Sequence, residues 1–146
     1  MSTIDYDALL KNELFDESSL VEALSEFFSY DVKVAERFNR TVYIEMYSDE
    51  KLECGVYLIG YAADATWDSD IVNDEYLYRQ CLSIALDKEN ADMTIVAKVM
   101  RFLLNLAKTK NLEMLVKSCV HDDICYVKDG NAVWNESFYC NYKDLI

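Results

Sequence analysis

The 146-residue sequence predicts a single α+β domain, with an antiparallel or mixed sheet of about four to five strands packed against about four helices. Three observations carry that expectation. Two pairs of segments read as hairpins, a long amphipathic helix stands between them, and the chain has no Pro and three Gly, so no linker marks a domain boundary.

The elements follow in order. Ser2 or Thr3 can cap a short helix carrying Ile4, Leu9 and Leu10. Ser19 with Glu22 forms a capping box for a second helix, in which Leu20, Ala23, Leu24, Phe27 and Phe28 recur at helical spacing. Residues 41–47 then alternate Val42, Ile44 and Met46 against Tyr43, Glu45 and Tyr47. Residues 52–63 alternate Leu52, Cys54, Val56 and Leu58 against Glu53, Tyr57 and Tyr61, which predicts a hairpin across Ser48–Lys51. Residues 74–86 and 92–108 read as helices. The second carries one apolar stripe of Ile95, Val96, Val99, Met100, Leu103, Leu106 and Ala107, and Lys108 and Lys110 suit its negative C-terminal end. Residues 112–120 fit either a strand or a helical turn followed by a strand. Residues 124–127 and 132–134 pair across Asp129-Gly130, a dipeptide suited to positive φ.

Charge narrows the function. The chain has 27 Asp+Glu against 14 Lys+Arg, a formal net charge of −13, while 52% of its residues are hydrophobic. The apolar half is enough for a core. The acid excess argues against binding nucleic acid or anionic membrane, because both demand Lys and Arg to displace counterions. Cationic protein partners remain. The N-terminus has no cationic, then apolar, leader. The longest uncharged apolar run, Cys54 to Ala63, has ten residues against the roughly 20 that span a bilayer, so a cytoplasmic protein is expected. Cys54, Cys81, Cys119, Cys125 and Cys140 are an odd number without CxxC spacing, which suits reduced thiols.

Signatures of catalysis are sparse. Gly55 and Gly60 fall in an expected strand and Gly130 in a turn, which excludes a P-loop or a GxGxxG cradle. The sole histidine lies in Cys119-Val-His-Asp-Asp-Ile-Cys125. Cys119, His121, Cys125 and Cys140 could supply four zinc ligands, although their spacing matches no standard finger or ribbon. A Cys/His nucleophile oriented by Asp122 or Asp123 would need an oxyanion hole that no nearby glycine-rich turn provides. No cofactor is expected, and the chain reads as a non-enzyme.

The densest acidic run is more specific. Asp64, Asp68, Asp70, Asp74 and Glu75 fall within twelve residues without a base, with Trp67 among them and Tyr76 and Tyr78 just after. A calcium loop lacks its Asp-x-Asp-x-Asp-Gly register. Helix capping explains Asp74 and Glu75 but not Trp67. Carboxylates that steer encounter, beside aromatic side chains that anchor it, are what a surface for a basic protein requires, so these eight residues are the expected partner-binding surface. Tyr43, Tyr47, Tyr57 and Tyr61 on the polar faces of the first hairpin fit equally well as strand formers or as contacts.

In size, charge and lack of catalytic signature the chain is similar to bacterial toxin-immunity proteins, small acidic domains that bind a cationic nuclease toxin. That resemblance implies a non-catalytic inhibitor that occludes the toxin's active site. The other expectations are an acidic nucleic-acid mimic, or a viral or phage antagonist of a host DNA-binding protein, and a small enzyme or metal protein using the Cys119/His121/Cys125 cluster.

Overall fold

Two-residue loops set the register of three hairpins, and their residues show how a chain so poor in glycine turns. Ser48 pairs with Lys51 and Lys128 with Asn131, across Asp49-Glu50 and Asp129-Gly130. All four loop residues have positive φ (51°, 64°, 51° and 77°), as a turn matched to the right-handed strand twist requires. Phe38 pairs with Thr41 across Asn39-Arg40, where Asn39 has φ 52°. Asn and Asp tolerate that region because their short side chains bond locally.

A computed structural model describes residues 3–13, 15–72, 74–89, 91–119 and 122–146. The described residues form β1 (Thr3–Leu10), α1 (Glu17–Phe28), β2 (Asp31–Phe38), β3 (Thr41–Ser48), β4 (Lys51–Ser69), β5 (Asp74–Asp87), α2 (Met93–Lys110), β6 (Met114–Ser118), β7 (Asp122–Lys128), β8 (Asn131–Trp134) and α3 (Glu136–Tyr142). The strands make one antiparallel sheet in the order β2-β3-β4-β5-β1-β6-β7-β8. Among the described residues, no helix is long and apolar enough to cross a membrane.

The helices cover one face. Tyr6, Ala8 and Leu10 of β1, Ile44 and Met46 of β3, Val56 and Leu58 of β4, and Leu82, Ile84 and Leu86 of β5 pack beneath Leu20, Leu24 and Phe28 of α1 and Val96 to Ala107 of α2. Phe102 of α2 meets Phe27 and Phe28 of α1 at centroid distances of 5.4 and 5.1 Å, which ties the two helices together. Each large side chain so buried contributes roughly 1.5–3 kcal/mol. Asp92 caps α2 by accepting from the Ile95 N–H (2.9 Å), and α2 ends at Asn111, with φ 50°.

Both expected hairpins and the expected second long helix are present, but the predicted balance of four to five strands with about four helices is overturned: the described residues hold eight strands and three helices. Residues 3–10 and 74–86, expected to be helical, are β1 and β5. β1 alternates, with Ile4, Tyr6, Ala8 and Leu10 toward the helices and Asp5, Asp7 and Leu9 on the other face, but its adjacent Leu9 and Leu10 also fit a helical stripe. In β5 the apolar Cys81 and Ala85 between Leu82, Ile84 and Leu86 blur the alternation. Leu82 and Ile84 face the helices, whereas Cys81 packs on the opposite side. The strand over residues 31–38 and the helix over 136–142 were not foreseen, and residues 114–118 resolve to a strand. The box that starts α1 is Asp16 with Ser19 rather than Ser19 with Glu22. The Ser19 N–H donates to the Asp16 carboxylate at 2.8 Å, and the Asp16 N–H donates to Ser19 Oγ at 3.2 Å. These bonds hold the Asp16 carboxyl below the usual carboxylate range.

One departure from a flat sheet creates the candidate site. β4 and β5 pair up to Gly60 and Gln80 and resume at Ala65 and Tyr78, so residues 61–64 bulge out opposite Arg79. Asp64 pairs with Arg79 at 3.7 Å across the break. Beyond it the hairpin end lies on the sheet's second face, where Trp67, Val72, Tyr76 and Tyr78 pack with Leu9, Cys81, Leu115 and Tyr126.

Candidate functional site

Asp123 of β7 is the fastening point for that folded hairpin end. It is only 3% exposed. Its carboxylate accepts from Trp67 Nε1 (2.7 Å), Ser69 Oγ (2.6 Å) and the Asp70 backbone N–H (2.8 Å). Bonds to a carboxylate stabilise by roughly 1.5–3 kcal/mol each, so this set is strong enough to decide where the hairpin lies. Lys117 lies opposite Asp123 in the β6–β7 register. Its ammonium stands 4.3 Å from the Trp67 ring centroid and pairs with Asp7 of β1 at 3.1 Å, and both of these side chains are less than a fifth exposed. Tyr76 donates its hydroxyl to the Leu9 carbonyl at 3.2 Å, pinning the other strand of the hairpin. Burial, then the Glu113 charge, pushes the Tyr76 phenol far above its ordinary value, so it stays a donor.

The eight residues expected at the partner surface divide by strand alternation. Trp67, Tyr76 and Tyr78 turn toward the sheet: Trp67 is half-buried, Tyr76 buried, and Tyr78 meets Tyr61 edge-on at 5.4 Å. Asp64 is exposed and paired with Arg79. Asp68, Asp70, Asp74 and Glu75 are exposed. Asp68 lies directly opposite Glu75, and beside them Thr66 lies opposite Leu77, which is 40% exposed. Like charges placed directly across a ladder destabilise it. The hairpin end therefore carries an internal conflict that its own fold does not need.

Away from the hairpin end the second face is open, and its composition follows the register. One row across the sheet reads Tyr43, Tyr57, Ser83, Asp7, Lys117 and Asp123; the next reads Glu45, Gly55, Ala85 and Asp5. The two smallest side chains sit mid-row, and a cleft of about 660 Å³ lies over them, lined also by Tyr43, Tyr57, Asp5 and Asp87. Tyr43 and Tyr57 stack with centroids 4.6 Å apart. A Cβ on residue 55 would fall 2.9 Å from the Tyr43 ring, so glycine there lets that ring lean across. Glu45 accepts from Tyr47 at 2.9 Å and Tyr43 at 3.4 Å. Burial and the Glu45 charge push the Tyr43 phenol up to about 12.

The cysteine cluster is dispersed. Cys119 and Cys140 are exposed and Cys125 is buried, while His121 lies outside the described residues. Among the described residues, no three His, Cys, Asp or Glu gather as metal ligands. Asp122 is exposed, and the Asp123 carboxylate is committed to the hairpin. Burial pushes the thiols of Cys54, Cys81 and Cys125 up to about 12, which suppresses the thiolate. A disulfide-exchange reagent near pH 8 is therefore expected to titrate Cys119 and Cys140 quickly and the other three only after denaturation. Fast reaction of more than those two would contradict the packing.

Sequence reading missed Asp123, Asp7 and Lys117 as a unit, and the cleft residues Asp5, Ala85 and Asp87. A Gly and an Ala inside otherwise bulky strands were the available signal for the cleft. No protein-family model matches the chain, and no curated protein or solved structure does either.

Proposed function

We propose that the protein is a non-catalytic inhibitor of a basic protein, specifically an immunity protein that neutralises a bacterial nuclease toxin by covering its active site. The observation that carries this reading is the Asp68/Glu75 opposition, flanked by Asp70 and Asp74, on a hairpin end fastened to the sheet through Asp123. A like-charge pair on a fastened element costs folding free energy, and a cationic partner relieves that cost on binding. Fixed geometry also reduces the ordering cost of association. A nuclease must hold phosphates and is therefore basic, so an inhibitor with a net charge of −13 gains speed and selectivity of encounter.

The test is capture from the lysate of the source cells at about 0.05 M salt, where surface charges are weakly screened, followed by elution with rising salt. The expected result is a basic partner whose nuclease activity disappears at stoichiometric mixing. Retention of no basic protein, or a captured nuclease that stays active, contradicts the reading. A captured DNA-binding protein without hydrolytic activity transfers it to nucleic-acid mimicry.

A further inference from the structure

We propose that the open cleft on the sheet's second face seats an arginine side chain of the cationic partner, against the Tyr43 and Tyr57 rings and between the carboxylates of Asp5 and Asp87. The proposal rests on the reading of the protein as a binder of a basic partner and adds a second place of contact, separate from the hairpin end. Three observations carry it. The cleft is floored by Gly55 and Ala85, with the Tyr43 ring leaning onto Gly55 as one wall and Asp5 beside Ala85 in the same row. Its lining includes Asp5, Glu53 and Asp87 against a single base, Lys51, so its charge suits a cation. Its aromatic wall is already assembled, because Tyr43 and Tyr57 stack on each other and Glu45 holds the Tyr43 hydroxyl.

Those features select the occupant's chemistry. Ring faces attract a cation and exclude an anion. A guanidinium is planar, stacks on an aromatic ring, and offers a fork of donors to carboxylates, whereas a lysine ammonium is a compact, strongly hydrated point charge. Leu52, 41% exposed at the rim, offers apolar surface to the methylene stem. A cleft of this volume admits such a side chain with part of its backbone, as ligand clefts of this size commonly do.

The probe is Nα-acetyl-argininamide, titrated into the intact protein while the ring resonances of Tyr43 and Tyr57 are followed by NMR, with the neutral isostere Nα-acetyl-citrullinamide as control. Saturable shifts are expected with the arginine probe and none with the citrulline probe. The Asp5→Asn/Asp87→Asn variant, checked for an unchanged melting temperature, should bind at least about fivefold more weakly. Asp87→Asn alone serves if the double variant does not fold. Asp68→Lys should leave the titration unchanged, because it alters the hairpin end only. Equal shifts from both probes, no shift from the arginine probe, or undiminished binding by the neutralised variants would overturn the proposal. An arginine probe that binds while lysate yields no basic partner fails the functional reading and not the cleft. The reverse pattern fails the cleft alone.

Discussion

Replacing Asp123 by Ala is expected to destabilise the protein by roughly 3–5 kcal/mol, because one substitution strips the acceptor from an indole N–H, a hydroxyl and a backbone N–H in a site that excludes water. The loss should begin locally. With Asp123 gone, Trp67 loses the acceptor of its indole N–H, so the hairpin end lifts from Leu9, Leu115 and Tyr126. Asp123→Asn keeps one carbonyl oxygen but not the charge, so about half of the loss should remain. Urea unfolding measures the total, and the exchange rate of the Trp67 indole proton reports the hairpin separately. A variant within about 0.5 kcal/mol of wild type, the usual range for an inconsequential surface change, would show that Asp123 does not hold the hairpin.

The fate of Trp67 illustrates what the sequence could and could not disclose. Its neighbours in the chain are acids, and a tryptophan among acids reads as an exposed anchor. Its true partners are 50 and 56 residues away, Lys117 above its ring and Asp123 at its N–H, brought there by the bulge at residues 61–64. No local pattern encodes that fold-back. The elements with partners close in sequence were legible: the hairpins of residues 41–63 and 124–134 carry both strands and their turn in one window, and α2 carries its stripe and its cap. β1 and β5 were misread because the adjacent Leu9 and Leu10 in β1, and Cys81 and Ala85 between the larger apolar side chains of β5, fit a helical stripe as well as a strand. The acids Asp68, Asp70, Asp74 and Glu75 needed no tertiary information to be picked out, and with Asp64, which pairs with Arg79, they are the exposed part of the expected surface.

The opposed pair in the hairpin gives the functional reading a signature that a purely structural role lacks. Glu75→Lys converts a like-charge pair with Asp68 into an attractive one, so it should leave the fold as stable as wild type or raise its stability by roughly 0.5 kcal/mol or less. The same change should slow the capture of a basic partner. That combination, a gain in folding stability with slower capture, would mark Glu75 as a binding residue.

The association rate of the captured partner with the Asp68→Lys/Asp70→Lys/Asp74→Lys variant, against wild type, tests this most directly. At about 0.05 M salt the variant should associate about 10–100 times more slowly, and by about 0.5 M the two rates should converge as screening removes the steering. Identical rates with identical salt dependence would contradict the assignment of the acidic hairpin end as the docking surface.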